Sequence, residues 1–480
     1  MCMNMTIAQL IKLLKEHFPY EPTPGQVELI GMISEFLLDT EERNLMVIKG
    51  YAGTGKTTIV KAIVDVLDKY EHGNVLLAPT GRSAKVLSNY SGKPAFTIHK
   101  KIYRTYSGND GMVRLTVLQN QHKNTLFIVD EASMIANNSA GQEGSMFSGR
   151  ALLDDLIQYV FNDNNCRLIL IGDVAQLPPV GMDISPALDI PYLKASFGMK
   201  VRSYELTEVV RQEANSGILF NATAIRNMIT SQNKKIALKF CLNDFKDIVK
   251  VNVAELEDSI NNAYSNYGSD ETIVLCRSNK RANLYNNQIR SQILGRDSEL
   301  TGGDLLMSVK NNYFWLNDSS KAGFIANGEM MEVQRIKGIH ELYDFRFAEG
   351  SVTLKDYPDE SSFEAVFLLD TITSESPALS STDFRKLYDN VSEDYPDIPE
   401  KRKRLLEIRE NKYYNALQVK FAWALTCHKS QGGQWKAVFV EQGYLKDNMI
   451  DREYLRWLYT ALTRATEKLY LVNFNEDFFT

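Results

Sequence analysis

The chain has 480 residues, with 54 Lys+Arg against 60 Asp+Glu and a net charge of −6. Its 44% hydrophobic and 24% charged composition excludes whole-chain disorder and fibrous repeats, and the length suits two to four globular units of roughly 100–200 residues. Mild acidity argues against coating nucleic acid through bulk charge, so any such site must be a local groove. The first twenty residues mix Lys12, Lys15 and Glu16 with apolar positions. They read as an amphipathic helix, neither a secretory leader nor a membrane span, and a cytoplasmic protein is expected. Five scattered cysteines without CxxC spacing point to reduced thiols and to no disulfide framework or zinc cluster.

In chain order, NLMVIKG (44–50) is an apolar strand ending at glycine, followed by a Gly-rich turn and the helical TTIVKAIVDVLDKY. VLLAPT (75–80), TLFIVD (125–130) and CRLILIGD (166–173) repeat that strand-to-loop-to-helix rhythm. Continuous apolar strands alternating with helices predict a parallel sheet covered on both faces. The fold class is therefore α/β, with a first domain over 1–205. Between 100 and 124, Gly108-Asn109-Asp110-Gly111 lies between Val-, Tyr- and Thr-rich segments and predicts an inserted β-hairpin. A second α/β region opens near Tyr204 and spans 206–300. Residues 301–411 contain short strands with Gly/Asn turns and predict a small inserted β-barrel. Residues 412–480, with VKFAWALT, KAVFVEQ and KLYLVNF, complete the second domain.

Gly50-Tyr-Ala-Gly-Thr-Gly-Lys56-Thr57 matches G-x-x-x-x-G-K-[ST] between strand and helix, a phosphate-binding loop. Glycines turn backbone N–H groups inward at a helix N-terminus. Lys56 reaches the β/γ-phosphates and the Thr57 hydroxyl can ligate Mg²⁺. The loop alone also fits kinases and GTPases. Asp130-Glu131 ends a strand on the same sheet edge, where Asp130 can hold the metal and Glu131 can orient and deprotonate a water. A surface Asp-Glu pair is the bland alternative. Gln176, after Gly172-Asp173 and before Pro178-Pro179, can sense a γ-phosphate, although a strand exit looks the same. Arg211 and Arg464 are either surface arginines or cationic fingers reaching the γ-phosphate across a cleft.

The ordered run TPGQ (23–26), GYAGTGKTT, APTGRSAKVL, TIHK (97–100), DEAS, GDVAQLPPV, ELTEVVRQ, TCHKSQG (426–432) and YTALTRA (459–465) resembles superfamily 1 helicases, most closely the RecD and Dda branch. The resemblance implies two RecA-like P-loop NTPase domains with ATP between them, a β-hairpin pin in the first and a small β-barrel in the second. It also implies ATP-dependent 5′→3′ movement on single-stranded DNA with duplex separation. Carried over by position, Gln26 reads adenine, and Gly50, Ala52, Gly53, Thr54, Gly55, Lys56, Thr57 and Thr58 hold ATP. Thr57 and Asp130 hold Mg²⁺. Lys56, Glu131, Gln176, Arg211 and Arg464 carry catalysis. Thr80, His99, Thr426, His428, Lys429 and Ser430 line the DNA track.

Tyr103, Tyr106 and Trp435 are available for base stacking. Implied partners are single-stranded DNA, duplex junctions, and single-strand-binding or replication, recombination and repair proteins, with no membrane and a monomeric chain. One departure is Gln434, where the branch usually has Glu, which keeps RNA open as a track. The rival readings are a translocase or nucleoprotein remodeller that does not unwind, and an ATP-switched nucleic-acid-binding module.

Overall fold

The computed structural model describes residues 5–479 except 40, 42, 108–112, 137–150, 163–164, 211–215, 232–237, 243–244, 318–319, 321 and 447–448. The amphipathic N-terminal helix is present as Ile7–Glu16. Thr6 and Gln9 close a capping box at its start, and Leu10 and Leu14 are buried.

The first domain is built on β1 (Asn44–Gly50), β2 (Asn74–Ala78), β3 (Ala95–Thr97), β6 (Leu126–Val129), β7 (Arg167–Gly172) and β8 (Lys200–Leu206). All neighbours pair in parallel, in the order β3-β2-β6-β7-β1-β8. Alternate residues of one strand serve opposite faces. Met46 and Ile48 join Leu76, Ile128 and Ile169 under the helices Ile7–Glu16, Pro24–Leu38 and Lys56–Lys69, while Leu45 and Val47 join Leu77, Phe127 and Leu168 on the other side. Both registers are apolar because both faces are covered. The predicted hairpin is β4 (Tyr103–Ser107) with β5 (Val113–Val117), paired antiparallel and outside the main sheet.

Tyr204 does not open the second domain. It lies in β8, the edge strand beside β1, with Ile48 opposite it. The second sheet begins with β9 (Ile248–Val251) and β10 (Thr272–Cys276). The chain then leaves for a closed barrel of β11 (Leu305–Ser308), β12 (Met330–Leu342), β13 (Phe345–Leu354), β14 (Phe363–Leu368) and β15 (Leu417–Phe421). The expected barrel edge at 411 is thus too early, because the barrel closes only when β15 pairs with β11 and β14. Helices Ser381–Ser392 and Lys401–Glu410 pack Leu387, Val391 and Ile408 against Phe345, Phe347 and Leu368 on the barrel wall.

Strands β16 (Ala424–Thr426), β17 (Trp435–Glu441) and β18 (Ala465–Val472) complete the second sheet in the order β16-β10-β17-β18-β9, again all parallel. The molecule therefore has two parallel α/β sheets, a hairpin inserted in the first and a five-stranded barrel inserted in the second. Among the described residues no helix is long and apolar enough to cross a membrane.

Candidate nucleotide site and strand track

The phosphate loop leaves β1 at Gly50 and enters helix Lys56–Lys69 through Gly55. Gly53 and Gly55 have φ of 73° and 80°, a left-handed backbone that glycine adopts without steric cost. A Cβ on Gly55 would also stand 2.4 Å from the Gln26 Nε2. Lys56 Nζ donates to the carbonyls of Gly50 (2.7 Å) and Tyr51 (2.8 Å), which holds the ammonium over the loop. Thr54 is buried and its hydroxyl donates to Tyr51 O. Ala52 and Gly53 are half-buried, Thr57 is exposed on the first helical turn, and Thr58 is half-buried beside it.

Gln26 sits against this loop, but its amide is already engaged. Oε1 accepts from Thr23 N–H in a capping box, and Nε2 donates to Thr54 O at 3.0 Å. Its amide packs against the loop at Thr54 and Gly55.

Asp130 and Glu131 follow β6. Asp130 accepts from the Tyr90 hydroxyl at 2.5 Å and from Glu131 N–H at 2.8 Å, so its carboxylate is fixed from two sides. Glu131 has φ of 53°, a strained conformation for a residue with a side chain. Burial pushes its carboxyl upward. Arg464 opposes that shift, Asp130 adds to it, and Lys56 opposes it. Asp173, at the end of β7, is 1% exposed and is likewise raised by burial, against the pull of Lys56, Tyr459 and Arg464. Gln176 is buried and its Oε1 has no hydrogen-bond partner. That oxygen can accept a hydrogen bond from a water or a ligand group.

The second domain closes over this set. Arg464 lies two residues beyond helix Arg452–Leu462, is 3% exposed, and donates to Thr460 O (3.1 Å) and Gly433 O (3.2 Å). Its charge acts on Glu131 and Asp173 in the first domain. Arg211 lies outside the described residues. Sequence reasoning passed over several groups at this seam. Tyr459 hydroxyl accepts from Ala52 N–H, Thr460 Oγ1 accepts from Leu177 N–H, and Gln431 Nε2 donates to Leu177 O. All three lie inside the quoted motifs YTALTRA and TCHKSQG and were legible there as letters without roles. The Arg226 guanidinium, stacked 4.6 Å from the Tyr51 ring centroid, carried no sequence signal.

The strand-track residues divide. Thr80 caps helix Gly81–Ser91, and its Oγ1 lies 3.1 Å from where a Cβ on Gly432 would stand, so it faces the TCHKSQG segment across the seam. Thr426 is half-buried at the end of β16, and His428 is exposed. Lys429 is half-buried with no partner on Nζ, and burial, with the neighbouring Lys420 charge, lowers it to about 8. His99 is half-buried beside the Tyr103 ring, and burial lowers its imidazole to about 4. Ser430 does not line a surface. It is 1% exposed and its hydroxyl donates to Cys427 O.

Two of the expected stacking platforms are also internal. Tyr103 is buried with its hydroxyl on Asp155, and Trp435 lies under the Arg82 guanidinium, 4.0 Å from the ring. The Tyr106 side chain falls outside the described residues.

Residues 25–237 match the AAA domain family, and residues 421–472 match the UvrD-like helicase C-terminal domain family. The ATP-dependent DNA helicase dda of Enterobacteria phage T4 is 28% identical over 297 residues, covering 59% of this chain and 60% of that protein. The ATP-dependent RecD2 DNA helicase of Deinococcus radiodurans is 30% identical over 179 residues, covering 36% of this chain and 21% of its own length. The chain thus spans less than two thirds of either relative. A crystal structure of Pif1 helicase from Bacteroides, in complex with ADP-AlF3 and ssDNA, covers 95% of this chain and 94% of its own at 16% identity and a TM-score of 0.44. Residues similar to an AAA domain thus precede residues similar to a UvrD-like helicase C-terminal domain, and the chain is similar to superfamily 1 helicases of the RecD and Dda branch.

Proposed function

We propose that this chain is an ATP-dependent DNA helicase that moves 5′ to 3′ along single-stranded DNA and separates the duplex ahead of it. The observation that carries this reading is the two-sided nucleotide site. The phosphate loop, Glu131 and Gln176 come from one sheet, while Arg464 comes from the other and acts electrostatically on Glu131. Such a site makes hydrolysis depend on how the two domains meet.

ATP is the substrate. Lys56 exchanges its two carbonyl partners for β/γ-phosphate oxygens, and the loop amides supply the remaining donors. The Thr57 hydroxyl and the Asp130 carboxylate are hard oxygen donors of the kind that Mg²⁺ accepts while keeping several waters, so they fit this ion. When bound, Mg²⁺ neutralises phosphate charge. Glu131 orients the attacking water and takes its proton, Gln176 offers its free Oε1 to that water, and Arg464 stabilises charge on the transferring group. Arg211 shares that last role by its place in the motif series. Closing and reopening of the seam beside Thr80, Thr426, His428 and Lys429 shifts the grip on a strand, and the β4–β5 hairpin splits the duplex.

The test is strand displacement on two partial duplexes that differ only in carrying a 5′ or a 3′ single-stranded tail. ATP-dependent displacement from the 5′ tail is expected. Preference for the 3′ tail overturns the direction, and hydrolysis with translocation but no displacement replaces the helicase with a translocase.

A further inference from the structure

Two second-domain side chains reach consecutive residues of the phosphate loop. Arg226, on helix Gly217–Thr230, stacks on Tyr51 and donates to Thr207 O at 3.1 Å. Tyr459, on helix Arg452–Leu462, is 1% exposed, and its hydroxyl accepts from Ala52 N–H at 2.8 Å while donating to Asp173 Oδ2 at 2.7 Å. A phenylalanine ring would fill the same apolar space without a polar atom to bury. A buried hydroxyl is costly unless bonded, and this one is used as donor and acceptor at once. Its two partners lie on different first-domain elements, the loop after β1 and the turn after β7.

The same short segment makes further seam contacts. Thr460 holds Leu177 N–H, next to Gln176, and Arg464 follows four residues later with its charge on Glu131 and Asp173. Asp173 is itself held by Ala175 N–H at 2.9 Å. Any rotation of the second domain about the seam must therefore pull on the Ala52 amide and on Asp173 together.

We propose that Tyr459 is a positioning residue for phosphoryl transfer. Its hydroxyl fixes the spacing between the phosphate loop and Asp173, and thereby the approach of Arg464 to the γ-phosphate. This deepens the proposed function and rests on it. Because reacting groups misplaced by about an ångström lose rate steeply, the bridge acts on turnover more than on ground-state binding.

The experiment compares Tyr459→Phe, Asp173→Ala and the double variant in ATP hydrolysis stimulated by oligo-dT, with thermal melting alongside. Tyr459→Phe is expected to lower kcat roughly tenfold or more, with the KM for ATP within about twofold and an unchanged melting midpoint. The double variant should be no slower than the slower single variant, since both remove one bridge. Packing alone would shift the midpoint and leave kcat at the parental value. Parental kcat in Tyr459→Phe, or losses that multiply in the double variant, overturns the inference while the helicase reading stands. If Tyr459→Phe melts early, Asp173→Ala decides alone, and parental kcat there is equally fatal. A parent without DNA-stimulated hydrolysis removes the proposed function and this inference with it.

Discussion

Lys56 rests its ammonium on two carbonyls of its own loop, so truncating it removes a phosphate ligand without opening the core. Lys56→Ala should abolish DNA-stimulated hydrolysis and leave the melting midpoint near the parental value, as read by phosphate release and calorimetry. Lys429 gives a second residue-scale expectation. Its Nζ has no partner and burial lowers it to about 8 from 10.5. The unfolded chain therefore binds the extra proton more readily, so the buried charge costs stability below about 8, and that cost fades as pH rises toward 10.5. For strand binding the sign is opposite, because the attractive charge is lost above about 8. Single-strand affinity should fall across that range, and Lys429→Gln should flatten the fall and reduce the salt slope by about 0.7. Fluorescence titrations at several pH values and salt concentrations check both. At this scale the motif letters were legible but burial was not. Ser430 and Trp435 carry the right names for a strand surface, yet the Ser430 hydroxyl turns back onto Cys427 O in its own turn, and Arg82, far away in the sequence, covers the flat face of Trp435.

Secondary structure was most legible where one signal dominated. Continuous apolar runs bounded by Gly or polar turns marked β1, β6 and β7, since a strand buried on both faces has no polar register to blur it. The end of the barrel was not legible for the converse reason. Residues 417–426 spell one apolar run, LQVKFAWALT, without Gly or Pro, but it folds as β15 of the barrel and then β16 of the second sheet, with Ala422-Trp423 as the joint. Just before the barrel, Asp304 is fully buried and accepts from Arg290, Arg296 and Thr301 N–H. Removing one partner of such a network strands the others in low dielectric. Asp304→Ala should therefore cost about 3–5 kcal/mol in urea unfolding. Likewise Gly55→Ala meets both a positive φ and the Gln26 amide, and should impair nucleotide binding, as measured by equilibrium dialysis of ATP.

Across the whole molecule, the described groups of the nucleotide site all come from one chain, from two sheets joined at a seam of Tyr459, Thr460, Gln431 and Arg226. Turnover per chain should thus be independent of protein concentration over a hundredfold dilution, and a steep loss on dilution would point to a site completed by a second copy. How the domains meet was the least legible feature, because contacts such as Ala52 with Tyr459 join residues 407 positions apart and no local pattern encodes them. In the proposed function, hydrolysis needs a guanidinium supplied from the second domain to a nucleotide held by the first. The most direct measurement is DNA-stimulated turnover of Arg464→Ala beside its affinity for ATP. Retained binding with turnover reduced roughly a thousandfold or more is expected. Parental turnover in that variant would contradict it.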